Sequence, residues 1–222
     1  MLGSRTLRLA AVLATLAATA GGFPLSAQLG SRPADQWALT LESGRRMESL
    51  EIQDVVSRIG LEPGDIVAEI GAGTGIFSVP LARAVRPDGF VLAEEVDAGF
   101  LPMISDKEAQ AGLDNIQPVL GKFEDPELPR GDVDVAFFHD VLHHIQDRGP
   151  YLRTMASYLK PGGRIVVVDY DMNVPGVPHS NQPELLVSPE QVDGWMRDAG
   201  LELTRSIDMF DDKFFVIYTK RD

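Results

Sequence analysis

Val67-Ala-Glu-Ile-Gly-Ala-Gly-Thr-Gly-Ile-Phe77 is the stretch that decides the fold of this 222-residue chain. The apolar run at 66–70 has the length and β-branched content of a buried parallel strand. Glycines then stand at alternate positions, and apolar residues resume with helical spacing from Phe77. This order predicts a strand, a tight turn and a helix, with bare backbone N–H groups facing a ligand at the helix N-terminus.

The spacing of the glycines separates two classes of ligand. A dinucleotide fingerprint, G-x-G-x-x-G, needs a glycine where this chain has Ile76. Here the pattern is G-x-G-x-G, and the carboxylate of Glu69 precedes it. An acid at this place repels a pyrophosphate but suits a ligand that carries an ammonium and a sulfonium. A nicotinamide-dependent oxidoreductase is therefore disfavoured, and the ligand is expected over Gly71, Gly73 and Gly75.

Three segments resemble those of a known family. Glu69-Ile-Gly-Ala-Gly-Thr-Gly75 resembles motif I of the class I S-adenosylmethionine-dependent methyltransferases. Asp140-Val-Leu-His-His-Ile145 is similar to the ubiquinone and menaquinone C-methyltransferase-like group, and Lys160-Pro-Gly-Gly163 is another landmark of the family. The resemblance covers residues 50–171. It implies S-adenosyl-L-methionine as cofactor, a small-molecule methyl acceptor, and cofactor contacts from the motif residues Glu69, Gly71, Ala72, Gly73, Thr74 and Gly75.

The order of predicted elements fixes the fold class. Five alternating strand and helix units followed by a terminal hairpin indicate an α/β protein with seven strands. The resemblance implies a Rossmann-like doubly wound sheet of order 3-2-1-4-5-7-6 with one antiparallel strand. Right-handed crossovers then place helices on both faces of the sheet.

The end of the second predicted strand supplies a candidate acidic residue to bind the ribose of the cofactor. An acid at this place can accept both ribose hydroxyls in a bidentate hydrogen bond. Glu95 is expected in this role, and Glu94 is the alternative. Related sequences usually carry Asp at the position that matches Glu95.

The turn after the third predicted strand is the candidate adenine contact. Related sequences have an acid where this chain has Lys122. We expect Glu124, Asp125 or a backbone group to replace that acid. Phe123 either stacks on the base or packs in the core.

Three of the four histidines fall at 139–144, after the fourth predicted strand. His139 or His143 is the candidate catalytic base, since an imidazole at a crevice rim can accept a proton near neutral pH. Alternatively, His139 and Asp140 line the methionine end of the cofactor while His143 and His144 pack locally. No metal site is expected, because adjacent histidines point to different faces unless the backbone is irregular.

A proline-containing stretch, 170–188, follows the fifth predicted strand. Loops at the carboxyl ends of strands commonly contact substrates, so Tyr170, His179 and Asn181 are candidates for the acceptor. A surface connection without a binding role is the alternative.

Composition limits the classes of partner. A formal charge of −13 and a pI near 4.7 argue against nucleic acid, because a polyanion would be repelled and no basic run is present. The chain has no cysteine, which excludes disulfides, thiolate metal sites and cysteine nucleophiles. Its 44% apolar content is that of one folded domain.

The N-terminal residues have the pattern of a secretory signal peptide. Arg5 and Arg8 precede an uncharged apolar run, and small residues follow up to Ala27. We therefore divide the chain into a signal peptide at 1–27, a linker and N-terminal lead-in at 28–46, and a methyltransferase domain at 47–222. The protein is expected to be exported, to the periplasm, without stable membrane insertion after cleavage. An uncleaved anchor and a mitochondrial presequence are the alternatives.

Two functions are open if the protein is exported. The expected function is methyl transfer from S-adenosylmethionine to a small molecule. The alternative is a protein that binds the cofactor without turnover, which export would favour because S-adenosylmethionine is made in the cytosol.

Overall fold

The computed structural model describes residues 32–221. The predicted signal peptide and the first residues of the predicted linker lie outside this range, so both stay predictions. Within the range, no helix combines the length and the apolar character needed to cross a bilayer.

Seven strands and seven α-helices make up the described part of the chain. The helices are α1 (Ala34–Leu41), α2 (Gly44–Ser49), α3 (Ile52–Ile59), α4 (Ser78–Ala84), α5 (Leu101–Ala111), α6 (Arg148–Tyr158) and α7 (Pro189–Asp198). The strands are β1 (Ile66–Ile70), β2 (Phe90–Glu95), β3 (Ile116–Leu120), β4 (Val133–His139), β5 (Leu159–Tyr170), β6 (Leu201–Ser206) and β7 (Lys213–Lys220). A short 3₁₀ helix, Leu142–His144, follows β4.

All seven strands form one sheet of order β3-β2-β1-β4-β5-β7-β6. β7 runs antiparallel to both β5 and β6, and the other pairs are parallel. The predicted α/β fold, strand order and single antiparallel strand are therefore confirmed. β1 lies between β2 and β4, so the chain leaves β1 toward one edge of the sheet and returns to the other side for β4. This is the switch point at which open α/β sheets bind ligands.

Apolar side chains alternate between the two faces of the sheet. Val67 and Val135 belong to a core with α3, α4 and α5, whereas Ala68 and Ala136 belong to a core with α6 and α7. Because strands have a period of two, this alternation buries both faces, as expected for a doubly wound sheet.

The N-terminal part differs from the sequence prediction. The sequence predicts a linker and lead-in at 28–46, but α1 and α2 already lie at 34–49, and α3 begins at Ile52. Leu50 is buried, and Glu51 has a left-handed φ of 49°, which no residue of a continuous α-helix adopts. The break lets α2 and α3 each pack on the body of the protein. The proposed domain boundary at 47 remains a prediction.

Candidate functional site

The turn after β1 has the backbone that its glycines predict. Gly71, Gly73 and Gly75 have φ values of 67°, 54° and 79°, a region that side chains with a Cβ atom rarely adopt. Position 71 has a second restriction, because a Cβ atom there would lie 2.3 Å from Cγ2 of Val141. Position 73 is less crowded, since a Cβ atom would meet only Cδ1 of Leu41, at 3.4 Å.

Two carboxylates at the end of β2 hold this turn. The backbone N–H of Gly71 donates to Oε2 of Glu94 at 3.1 Å, and that of Gly73 donates to Oε2 of Glu95 at 2.9 Å. Oε1 of Glu95 accepts two further backbone N–H groups, from Val96 at 2.8 Å and Asp97 at 3.1 Å. The strand end and the glycine turn are thus fixed relative to each other.

A third acid lies beside them. Glu69 is buried and accepts a hydrogen bond from the hydroxyl of Ser78. Burial raises the pKa of Glu69 and of Glu94 to about 8, and it raises the pKa of Glu95 as well. Burying several acids together is costly unless they are protonated or neutralised by a cation. The arrangement therefore favours a positively charged ligand.

Asp140, just past β4, is held by two cations. Its carboxylate lies 3.2 Å from Nη1 of Arg46 and 2.8 Å from Nζ of Lys213, and its φ is 53°. Burial alone would raise the pKa of Asp140, but neighbouring positive groups, Lys213 and Arg46 among them, outweigh burial and hold it at about 2. The residue is therefore an anion already paired within the protein.

His139 ends β4, with its ring against that of Phe77 at a centroid distance of 4.6 Å. Burial lowers the pKa of His139 to about 4, so the imidazole is neutral around neutral pH. Its Nε2 is buried and has no hydrogen-bond partner among the described residues.

One cavity joins these groups at the carboxyl ends of β1, β2 and β4. The predicted site residues that line it are Glu69, Gly71, Ala72, Gly73, Thr74, Glu95, Phe123, His139 and Asp140. The ribose alternative, Glu94, also lines it, and so does Lys122.

Comparison with known proteins agrees with this geometry. Residues 68–167, which include the glycine turn and the ends of β2 and β4, match the family described as a methyltransferase domain. This segment is similar to a methyltransferase domain, and the sheet has the strand order of the class I group. The cofactor that this family implies is S-adenosylmethionine.

The relatives of the methyltransferase domain match over part of their length. The ubiquinone/menaquinone biosynthesis C-methyltransferase of Vibrio vulnificus is 29% identical over 116 residues, which is 52% of this chain and 45% of the relative. The chain therefore spans about half the length of that relative.

Two solved structures are similar in fold. A methyltransferase from Aquifex aeolicus, described as dependent on S-adenosylmethionine, has a TM-score of 0.74 and 22% identity, covering 83% of this chain and 97% of its own. The cyclase SpnF has a TM-score of 0.66 and 16% identity, covering 77% of this chain and 80% of its own. Because a cyclase shares the fold, the fold by itself does not decide the chemistry.

Three predicted site residues of the methyltransferase domain lie away from the cavity. Gly75 lies under α5, where a Cβ atom would be 3.2 Å from Cγ1 of Ile104, so it serves packing. Glu124 is exposed on the turn after β3 and does not line the cavity. His143 is sealed behind the cavity wall, with Nδ1 2.6 Å from Oδ1 of Asp169. A direct contact of these three side chains with the ligand is therefore not supported.

Sequence reasoning missed the N-terminal wall of the cavity. Trp37 and Leu41 of α1 and Arg46 of α2 line it. The stretch 28–46 was predicted as linker and lead-in because it has no motif. The sequence has no local signal for this wall, because it forms only when α1 and α2 fold over the end of the sheet.

We expect Gly71→Ala to lower the free energy of unfolding by about 2 to 4 kcal/mol, from left-handed strain and from overpacking against Val141. Adding Val141→Ala should recover the packing part, so the two substitutions should not be additive. Urea unfolding of both single variants and the double variant measures this. Strict additivity would contradict the close approach of the two residues.

Proposed function

We propose that this protein transfers a methyl group from S-adenosylmethionine to a small-molecule acceptor. The observation that carries the proposal is the cavity at the switch point, where a glycine turn with free space over Gly73 lies beside three buried acids. S-adenosylmethionine has a sulfonium and an ammonium, and both are charges that such a site stabilises.

The cavity residues fit the parts of this cofactor. The carboxylate of Glu95 lines the cavity at the end of β2, which supports its proposed role as acceptor for the ribose hydroxyls. The ring of Phe123 is 41% exposed and lines the cavity, so it can stack on the adenine. Nε of Arg46 is buried without a partner among the described residues, which makes it a donor for the methionine carboxylate.

When bound, the cofactor supplies a methyl group on a good leaving group, so positioning of the acceptor can supply much of the catalysis. Of the two predicted catalytic histidines, His139 lines the cavity and His143 does not. With a pKa of about 4, the His139 imidazole is available as a proton acceptor but is a weak base. We therefore propose that His139 orients the acceptor or accepts a hydrogen bond from it.

We propose only the chemical class of the methyl acceptor. The Vibrio relative is named for ubiquinone and menaquinone biosynthesis, which makes phenols and quinol precursors the first compounds to screen, followed by amines.

We expect the purified protein to form methylated product from S-adenosylmethionine with at least one of these acceptors. Glu95→Ala should weaken cofactor binding by about 1 to 3 kcal/mol through loss of charge-assisted hydrogen bonds. Glu95→Asp, the residue usual in related sequences, should retain most of the affinity. Calorimetry and a product assay by mass spectrometry measure both effects.

The same experiment separates the alternatives. Cofactor binding without any methylated product across the panel would favour a protein that binds the cofactor and does not turn it over. Absence of cofactor binding would overturn the proposed function.

A second prediction concerns the buried acids. Because burial raises the pKa of Glu69 to about 8, the ionised fraction grows as pH rises toward that value. A sulfonium favours the ionised form, so affinity for S-adenosylmethionine should rise with pH more steeply than affinity for S-adenosylhomocysteine. The ammonium is common to both ligands and cancels in this comparison. Calorimetry in buffers of different ionisation enthalpy should show more proton release with S-adenosylmethionine than with S-adenosylhomocysteine.

Glu69→Gln should remove most of this difference between the two ligands. Glu124→Gln is the matched control, since that acid is exposed outside the cavity. We expect it to bind both ligands as the wild type does. A clear loss of affinity in Glu124→Gln would instead support the adenine contact predicted from the sequence.

We also propose export, on the charge and apolar pattern of residues 1–27. Expression of the full chain in a Gram-negative host should give a periplasmic protein whose N-terminus follows Ala27 or Ala20. N-terminal sequencing after cell fractionation measures this. An intact N-terminus in the membrane fraction would support an anchor, and an intact cytosolic protein would contradict export.

A further inference from the structure

Three histidines meet beside the cavity. The 3₁₀ turn after β4 brings His143 and His144 together, with ring centroids 4.0 Å apart. His179, from the loop after β5, lies 4.9 Å from the first ring and 5.6 Å from the second. One ring nitrogen of each residue lies within 4.8 Å of the other two. The expectation that adjacent histidines point apart is therefore wrong here, because the backbone at this turn is irregular.

Hydrogen bonds fix how the rings present their nitrogens. Asp169 accepts from the backbone N–H of His143 at 3.1 Å, and its Oδ1 lies 2.6 Å from Nδ1 of the same residue. Because a carboxylate accepts, the neutral imidazole in this geometry has its proton on Nδ1 and its lone pair on Nε2. That Nε2 is buried and has no hydrogen-bond partner among residues 32–221. A buried nitrogen lone pair without a donor is costly unless something binds it.

The other two rings each contribute one nitrogen to this cluster. Gln182 hydrogen-bonds the ring of His179, which helps to hold that ring on its loop.

Arg148 holds the two segments of the cluster together. Its guanidinium donates to the carbonyl oxygens of Leu142 at 3.2 Å and His143 at 2.9 Å on the turn, and to that of Leu185 at 2.8 Å on the later loop. The turn and the loop that carries His179 are therefore fixed by one half-buried side chain. A metal site requires such support, since ligands must be held near their binding geometry.

We propose that Nε2 of His143 and one ring nitrogen each of His144 and His179 bind one divalent transition-metal ion of the zinc class. Imidazole nitrogens suit zinc, nickel and copper rather than magnesium or calcium. The pair of Asp169 and His143 has the carboxylate–histidine arrangement that commonly supports a ligating imidazole. Tetrahedral zinc, about 2.0 to 2.1 Å from each nitrogen, needs nitrogens about 3.4 Å apart, so nitrogens that lie within 4.8 Å of one another approach by up to about 1.4 Å on binding.

Three protein ligands leave one coordination position for water or another oxygen. His144 also lines the cavity, so this position borders the space proposed for the acceptor. An acceptor hydroxyl could occupy it, a suggestion that rests on the proposed function. The metal site itself is tested without cofactor or acceptor, so its outcome is independent of methyl transfer.

The test is metal binding by the whole protein, purified without a polyhistidine tag because tag imidazoles bind the same ions. Zinc is titrated in competition with a chromophoric chelator, and cobalt is substituted to record its visible spectrum. We expect one equivalent of zinc and the intense visible bands of four-coordinate cobalt.

Variants assign the ligands. Asp169→Asn should weaken zinc binding by about 10- to 100-fold, as loss of a supporting carboxylate does. His179→Ala, on a partly exposed loop, should weaken it more. Asn181→Ala, exposed on the same loop, and His139→Gln, the histidine outside the cluster, should bind as the wild type does. Thermal melts establish that each variant is folded.

Equal zinc affinity in the wild type and in His179→Ala would overturn the proposal. So would a cobalt spectrum that matches the six-coordinate aqueous ion. Either result would mean that the three rings serve only to pack the turn against the loop.

Discussion

Two buried carboxylates accept the backbone N–H groups of the turn that follows β1, and the site depends on these bonds. Glu94 and Glu95 fix the glycine turn to the end of the neighbouring strand, so the floor of the cavity is set by backbone and not by mobile side chains. If either bond were missing, a buried backbone donor would be left without a partner. The cost is a group of acids out of water, which raises their pKa values. A cationic ligand offsets that cost. The acids that hold the turn therefore also favour a positively charged ligand in the cavity.

A second constraint connects parts of the chain that are far apart in sequence. Asp140, at the end of β4, pairs with Arg46 from α2 and with Lys213 at the start of β7. Buried ion pairs are weak evidence for stability, since desolvation consumes much of their attraction. Their effect here is positional, because the pairs hold the N-terminal helices over the open end of the sheet. Trp37 and Leu41 line the cavity as a result.

The histidine segment shows where local reasoning fails. The resemblance correctly placed these residues at the end of β4, but it could not separate their roles. His139 lines the cavity, His143 is sealed against Asp169, and His144 lies between the cavity and the cluster with His179. One irregular turn produces three environments within six residues. Burial then lowers the pKa of His139 to about 4 and of His144 to about 3, which residue type alone does not predict.

From β1 onward, the sequence by itself determined the order of strands and helices, the glycine turn and the cofactor class. Each depends on residues that are neighbours in the chain. The spacing of apolar residues predicts the strands and helices, the glycines predict a left-handed turn, and the acid at the strand end indicates the class of cofactor. Only the tertiary structure decided that Arg46 meets Asp140 across 94 residues, and that His179 joins the other histidines. Those contacts exist only after the crossovers have brought distant segments to one edge of the sheet, and no local pattern encodes them.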